Sequence, residues 1–407
     1  MILWLLIVQR LHGGAPLESA VLELLRGLPA SFWPRPCKRI QDWQQRRRAP
    51  SNNTGAYNQA RQALPLSIVQ QSCDRIFEQL VADSSPQGAE RVFLLDGSSI
   101  RAAHTAALCK SYPPGRNQYR EGHWPLLLVL VAHELRTGLA MRPEWGPMHG
   151  PDAVSEQWLL ERALGRLPSG AKVIADRNFG VFSVAYAATQ SHHGVLLRLT
   201  EPRARRLAGG CLQDGMDRRI TWKASREDRK KHPEIPAEAC VTGRLIVHQV
   251  QPDHGARPVW LALFTTLDTA EKEIMALYGQ RWNIETDLRT LKSSLRLDQL
   301  TCWTPDMVAK EIDMGIAAYN LVRAITWLAS EQSGIPPRRY GFTRVRRIVQ
   351  TFAPLVAAAP DAREAQRILD QMMQYVQRAK LPHRSRKRPT YPRQVWNRGD
   401  HFPKRRT

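Results

Sequence analysis

The sequence predicts an α/β protein built on a mixed β-sheet, with helical regions before and after the sheet. Three observations predict this class. Apolar runs typical of strands come first, strands and helices then alternate, and the last third of the chain is almost entirely helical. The chain has 407 residues, which is long enough for a sizeable core and for two or three domains.

The first 85 residues are predicted to form a helical N-terminal domain. Apolar residues recur at helical spacing from Leu17 to about Asp83, and a polar, basic stretch that ends near Asn53 interrupts them. This domain is expected either to bind DNA or to pack as a lid on the core. The run Met1–Val8 is too short to span a bilayer and is expected to be a buried amphipathic helix. Because the chain opens abruptly on this run, we expect a truncated N-terminal domain.

The rest of the chain divides by its pattern into four regions. Strand-like runs cover Arg91–Leu95, Pro125–Val131, Gly138–Met141, Lys172–Ala175 and Val195–Leu199, and helical patterns cover Ala153–Leu167 and a stretch from Val181. We expect the core domain at residues 86–200 and 267–335, a β-rich insertion at 201–266, and a helical C-terminal region with a basic tail at 336–407.

The charge balance points to a polyanionic partner. The chain carries 59 Lys and Arg against 37 Asp and Glu, a formal charge of +22. Double-stranded DNA is the favoured partner over a nonspecifically basic surface. The tail from Lys380 is either an arm that orders on DNA or a disordered, solvating segment.

Several other classes of site are not supported by the sequence. The six cysteines form no C-x-x-C pair, which indicates reduced thiols in a cytosolic protein. No G-x-x-x-x-G-K-[ST] loop is present, so we expect no nucleotide cofactor. We expect a cytoplasmic, nucleoid-associated protein that does not bind membranes.

One segment places four functional side chains at helical spacing. Arg281, Glu285 and Lys292 follow Tyr278 by 3, 7 and 14 positions. On one continuous helix, at about 100° per residue, these side chains share a face. That face would carry a carboxylate metal ligand between groups suited to phosphate. The alternative is a solvated helix face with local ion pairs. Asp287 is expected to point away from Glu285.

The spacing Tyr-x2-Arg-x3-Glu-x6-Lys resembles the signature of DDE transposases of the insertion-sequence-four family. Ala318–Arg323 resembles the segment that follows the signature, and Leu94–Ser98 and Ile174–Arg177 resemble the two aspartate regions of that family. The resemblance covers roughly residues 50–355. It implies a ribonuclease-H-like fold, with the strand-rich insertion at 201–266. The first aspartate region departs from the pattern, because no Asp-Thr pair is present.

Asp96 and Asp176 each follow an apolar run directly, so each is expected at the carboxyl end of a strand. With Glu285 they would supply three oxygen ligands, which favour Mg²⁺ or Mn²⁺ over zinc. Two such ions can serve phosphodiester chemistry. The alternative for each aspartate is an ordinary turn or helix cap.

The resemblance implies a role for each of these residues. Asp96, Asp176 and Glu285 would be the catalytic residues and would hold two Mg²⁺, for which Mn²⁺ substitutes. Tyr278, Arg281 and Lys292 would bind DNA phosphates, and Trp260 would stack on an unpaired base unless it is a core residue.

The resemblance also implies a transposase that hydrolyses phosphodiesters at element ends and transfers the 3′-hydroxyl to target DNA. The enzyme would work as a homodimer on terminal repeats and target DNA. Two alternatives stay open. The chain could be a nuclease of the same fold that performs no strand transfer, or a catalytically inactive, transposase-derived DNA-binding protein.

Overall fold

A single mixed sheet of nine strands forms the centre of the computed structural model, which describes residues 2–27, 54–84, 90–116, 121–251 and 258–382. The strands are β1 Val92–Arg101, β2 Pro114–Arg116, β3 Glu121–Glu134, β4 Glu144–Pro147, β5 Lys172–Ala175, β6 Gly194–Arg198, β7 Met216–Lys223, β8 Cys240–Val250 and β9 Val259–Thr265. Their order is β2-β3-β1-β5-β6-β9-β8-β7, and β4 also pairs with β3. The β1–β5 and β5–β6 pairs are parallel and the others antiparallel. The predicted mixed α/β class is confirmed.

Helices cover both faces of the sheet and form both ends of the described chain. They are α1 Ile2–Leu11, α2 Leu17–Gly27, α3 Gly55–Ala63, α4 Leu66–Ser84, α5 Ala106–Ser111, α6 Glu156–Leu164, α7 Phe182–Gln190, α8 Glu201–Ala208, α9 Arg226–Lys231, α10 Glu271–Gly279, α11 Asn283–Ser294, α12 Pro305–Ser333, α13 Phe342–Ala357 and α14 Ala362–Arg378. Short 3₁₀ turns lie at Gln280–Trp282 and Pro337–Arg339.

The central strands are buried on both faces, because their side chains alternate between two apolar cores. Leu94, Ile174 and Leu196 belong to the core that contains α11 and α12. Their neighbours along the strands, such as Leu95 and Ala175, belong to the opposite core, which contains α6 and α7. A strand with helices on both faces is therefore apolar at nearly every position, as the sequence shows.

The strands of residues 201–266 extend the central sheet. β9 pairs with β6 in antiparallel register, so that Phe264 lies opposite Leu197, and β8 and β7 continue outward from β9. The β-rich character of this region agrees with the prediction. The domain boundaries stay a prediction.

One predicted strand is wrong. Gly138–Met141 does not form a strand, and only Ala140 makes an isolated bridge, to His133. The physical reason is a competing partner. The Asn320 side chain on α12 bonds both the backbone N–H and the carbonyl of Ala140, at 2.8 Å each.

The apolar run at the start of the chain forms α1, as expected for a buried amphipathic helix. Leu5, Leu6 and Leu11 are buried, and the helix packs mainly against α12. Arg10 and Glu311 form a buried ion pair between the two helices. In the described part of the chain, no helix combines the length and apolar character that crossing a membrane requires. The predictions for the basic stretch before Asn53 and for the tail beyond residue 382 lie outside the described residues.

Among the described residues, α12 carries one buried carboxyl group, Asp313, that has no hydrogen-bond partner. Asp313 is 1% exposed, and neither of its carboxylate oxygens has a partner among the described residues. Burial raises the pKa of Asp313 to about 7, although the nearby Arg142 opposes the shift. The folded protein therefore keeps a proton on Asp313 at pH values where the unfolded chain has lost it.

This shift predicts a pH-dependent gain in stability from Asp313→Asn. Because the folded pKa is raised, the contribution of Asp313 is fully favourable below about pH 4 and is lost as the pH rises through about 7. At pH 8 the variant should unfold at a higher urea concentration than wild type, with a free energy of unfolding larger by up to about 4 kcal/mol, and the two free energies should match near pH 3. The exposed Asp268→Asn is the control. An equal effect of Asp313→Asn at both pH values would contradict the assignment.

Candidate functional site

The two aspartates lie side by side on neighbouring parallel strands. Leu95 on β1 pairs with Ala175 on β5, so the next residues, Asp96 and Asp176, stand at the same level of the sheet. Asp176 follows β5 directly, as predicted. Asp96 does not end its strand, because β1 leaves β5 at this point but continues to pair with β3 as far as Arg101. The expectation that both aspartates end a strand is wrong for Asp96.

Both carboxylates also take part in local hydrogen bonds. The N–H of Gly97 donates to Asp96 Oδ1 at 2.8 Å, and the N–H of Asn178 donates to Asp176 Oδ1 at 2.8 Å. The alternative interpretation of Asp176 as an ordinary turn residue therefore accounts for one of its two carboxylate oxygens. The contact leaves Oδ2 of each aspartate outside these bonds, so a turn residue can still bind a ligand.

The predicted signature helix is not one continuous α-helix. Tyr278 lies near the end of α10, Arg281 lies in the 3₁₀ turn, and Glu285 and Lys292 lie on α11. The interruption follows Gly279, the residue in this stretch with the weakest helix propensity. The backbone stays in the right-handed helical region through the turn, so the direction of the chain is preserved.

The signature side chains nevertheless make contacts with one another and with β1. Arg281 Nη2 is 3.4 Å from Glu285 Oε1. This is a local ion pair of the kind expected for a solvated helix face. Lys292 Nζ donates to Ser98 Oγ on β1 at 3.1 Å. Burial raises the pKa of Tyr278, and the charges of Arg281 and Arg198 oppose that shift. Arg198, at the end of β6, is a basic neighbour that the sequence did not single out.

A fourth carboxylate, Glu156, was missed by sequence reasoning. It is the first residue of α6 and accepts a hydrogen bond from Asn178 Nδ2. A Cβ atom on Gly97 would come within 2.0 Å of Glu156 Oε1, so the glutamate packs against the bare Cα of Gly97. The available signal was Gly97 itself, because a glycine inside a strand often marks the close approach of another group.

The electrostatics of Asp96 reflect this crowding of acids. Burial raises the pKa of Asp96 to about 6, the hydrogen bond from Gly97 opposes the rise, and the charges of Asp176 and Glu156 add to it. Arg281 is the positive group that acts on Asp96. A divalent cation would relieve this repulsion, so the donor set fits a hard metal ion. Within the described ranges, no three His, Cys, Asp or Glu side chains already stand in coordinating geometry.

Comparison with known proteins assigns the family. The model of the transposase DDE domain matches residues 87–321, a range that includes the sheet, the two aspartates and the Glu285 helix. The chain belongs to the DDE transposase family. The transposase InsG for insertion sequence element IS4 of Escherichia coli (strain K12) is 25% identical over an alignment of 326 residues, and the match covers 76% of this chain and 68% of that protein.

A piggyBac transposase structure, a synaptic complex with hairpin DNA, has a TM-score of 0.40 and 9% identity to this DDE transposase family member. The match covers 70% of this chain, and the chain spans 57% of that structure's length.

Trp260, the predicted stacking residue, is the second residue of β9 and is partly buried against the core of α6 and α7. Because β9 runs antiparallel to β6, Trp260 lies toward the sheet edge at which β5 and β6 end.

Trp282, inside the transposase signature, is 65% exposed and was not predicted as a contact residue. The roles of all predicted site residues stay predictions.

The segment Ala318–Arg323 anchors the Glu285 helix from within the core. Asp287 is fully buried and accepts hydrogen bonds from Arg323 Nη2 at 2.6 Å and Arg338 Nη1 at 2.8 Å. Tyr319 donates to the same carboxylate at 3.3 Å. Burial alone would raise the pKa of Asp287, but Arg323, Arg338 and the other groups that favour its charged form together outweigh burial, and the pKa is lowered. Asp287 thus points away from Glu285, as predicted.

We expect Asp287→Asn to destabilise the DDE transposase strongly. The variant would keep the shape of the side chain but leave Arg323 and Arg338 without a counter-charge in the core. Breaking a buried pair in this way costs about 3–5 kcal/mol. The control Asp298→Asn removes the half-exposed partner of Arg101, 3.5 Å away, and should cost less than about 1 kcal/mol. Urea unfolding measures both variants, and equal midpoints would disprove the anchoring role.

Proposed function

We propose that this chain is a DNA transposase that hydrolyses a phosphodiester at each element end and joins the liberated 3′-hydroxyl to target DNA. The observation that carries the proposal is the placement of Asp96 and Asp176 side by side, within the charge field of Arg281 from the Glu285 segment. The match to the transposase DDE domain over the same residues supports it.

A ribonuclease-H-like core is the finer fold that we propose. The strand order β4-β3-β1-β5-β6 supports it, since three antiparallel strands are followed by two parallel ones. In this reading β7–β9 belong to an insertion between β6 and the Glu285 helix.

Asp96, Asp176 and Glu285 are the residues that would hold Mg²⁺ or Mn²⁺. Two such ions, when bound, activate the attacking oxygen and stabilise the leaving oxygen of a phosphodiester. The chain itself contributes rigid placement: Asp96 is part of a paired strand, and Glu285 is carried by a helix anchored through Asp287. We propose these residues as the catalytic set.

The basic groups of the signature would bind the DNA backbone. Arg281 can bind a phosphate through two N–H groups, and Lys292 can act as a point charge. The Tyr278 hydroxyl can donate a third hydrogen bond. Trp260 would stack on an unpaired base near the same edge of the sheet, a contact worth roughly 1–3 kcal/mol.

The formal charge of +22 supports terminal-repeat and target DNA as partners. We propose a homodimer on the paired ends, and a cytoplasmic, nucleoid-associated location. No nucleotide cofactor is proposed.

The first test is cleavage of DNA that carries the element's terminal repeats. We expect wild type to nick these ends with Mg²⁺ or Mn²⁺, and Glu285→Gln to lose at least about a hundred-fold in rate, because one carboxylate ligand is gone. Glu273→Gln replaces an exposed first-turn glutamate on α10 and should keep the wild-type rate. Full activity in Glu285→Gln would remove the proposed mechanism.

A second test separates transposition from simple nuclease action. Precut ends with a free 3′-hydroxyl are incubated with a supercoiled target plasmid and Mg²⁺. We expect joined products from wild type and none from Glu285→Gln. Cleavage of intact ends without any joining would favour a nuclease, and end binding without cleavage in Mg²⁺ or Mn²⁺ would favour an inactive DNA-binding protein.

A further inference from the structure

Glu156 reaches the aspartate pair from the face of the sheet opposite to Glu285. Gly97 is in phase with Leu95, whose side chain lies in the core of α6 and α7. Ser98 is in phase with Leu94 and contacts Lys292 of α11 on the other face. Because Gly97 has no side chain, Glu156 occupies the position that a Cβ atom would fill.

Two neighbouring polar side chains hold Glu156 in this place. Asn178 Nδ2 donates to Glu156 Oε2, and Gln157 Nε2 donates to Asn178 Oδ1 at 3.0 Å and to its carbonyl oxygen at 2.8 Å. Asn178 is also the residue whose N–H donates to Asp176 at 2.8 Å. One residue therefore connects Glu156 to a proposed cation ligand.

We propose that Glu156 is a fourth carboxylate of the cation-binding site, acting from the α6 face while Glu285 acts from the α11 face. Gln157 and Asn178 are positioning residues for it. This inference rests on the proposed function, since it adds a residue to the same site.

Charge balance supports a fourth acid. Two divalent ions carry four positive charges, and Asp96, Asp176 and Glu285 supply three negative ones. Glu156 supplies the fourth. A half-buried site binds its ions more readily when the charges of ligands and ions cancel. The packing of Glu156 against Gly97, the residue that follows Asp96, is separate evidence that Glu156 lies close to Asp96.

The decisive measurement is Mn²⁺ binding to the full chain, followed by the electron paramagnetic resonance signal of free Mn²⁺. We expect Glu156→Gln to lower the affinity for at least one of the bound Mn²⁺ ions by ten-fold or more. The control Glu273→Gln replaces another first-turn glutamate, which is exposed and is not among the proposed site residues, and should bind as wild type does. Wild-type affinity and stoichiometry in Glu156→Gln would overturn the inference.

A second variant displaces Glu156 without changing any carboxylate. In Gly97→Ala the new methyl group would lie where Glu156 Oε1 and Cδ now are, and a flexible side chain can move away. The backbone of Gly97 is that of an ordinary strand, so alanine is tolerated. We expect the same loss of Mn²⁺ affinity. Gly165→Ala lies at the other end of α6, where the new Cβ would meet only the carbonyl oxygen of Arg162, at 3.9 Å, and should have no effect.

Failure of this inference is distinguishable from failure of the proposed function. If wild type cleaves element ends and both Glu156→Gln and Gly97→Ala bind Mn²⁺ normally, only the role of Glu156 is refuted. If wild type neither binds Mn²⁺ nor cleaves element ends, the site and the fourth ligand are refuted together. Melting curves of both variants, with Tm close to wild type, exclude unfolding as the cause of weaker binding.

Discussion

The buried carboxylate of Asp287 is the constraint on which the geometry of the site depends. It joins three parts of the chain that are distant in sequence: α11 carries Asp287 itself, α12 supplies Arg323, and the 3₁₀ turn after α12 supplies Arg338. Arg338 also donates to the carbonyl of Glu134 at the end of β3. The Glu285 helix is thereby tied to the sheet through one carboxyl group, which has little freedom to move because any shift would leave a charge unpaired.

The same network explains the two acids of the signature region. Glu285 and Asp287 are separated by two positions, so they project from different sides of α11. The side chain of Glu285 is 37% exposed, and among the described residues its one ion pair is with the nearby Arg281, whereas Asp287 is fully buried. The exposed acid is available for a ligand because the buried acid holds the helix. The resemblance of Ala318–Arg323 to a family segment is thus explained by packing, since Tyr319, Asn320 and Arg323 are all buried.

The parts of the fold that follow from local pattern could be predicted from the sequence, and the parts that follow from distant contacts could not. Lys172–Ala175 was predicted at its observed bounds because its apolar run is bounded by clear breaks. Gly138–Met141 has the same local character, but Asn320 from α12 takes its backbone groups. For the site, the aspartates and the signature were found by spacing. Glu156 was not, because its proximity to Asp96 arises only when α6 packs on the sheet.

The continuity of the sheet bears on how the proposed insertion could act. β9 is paired along its length with β8 and also with β6, whose neighbour β5 leads directly to Asp176. A strand that shares backbone hydrogen bonds with the core cannot rotate independently of it without breaking the β6–β9 ladder. Trp260 therefore keeps a defined place relative to the aspartates, at the edge where β5 and β6 end. In the proposed stacking role, the DNA must therefore bring the unpaired base to that edge.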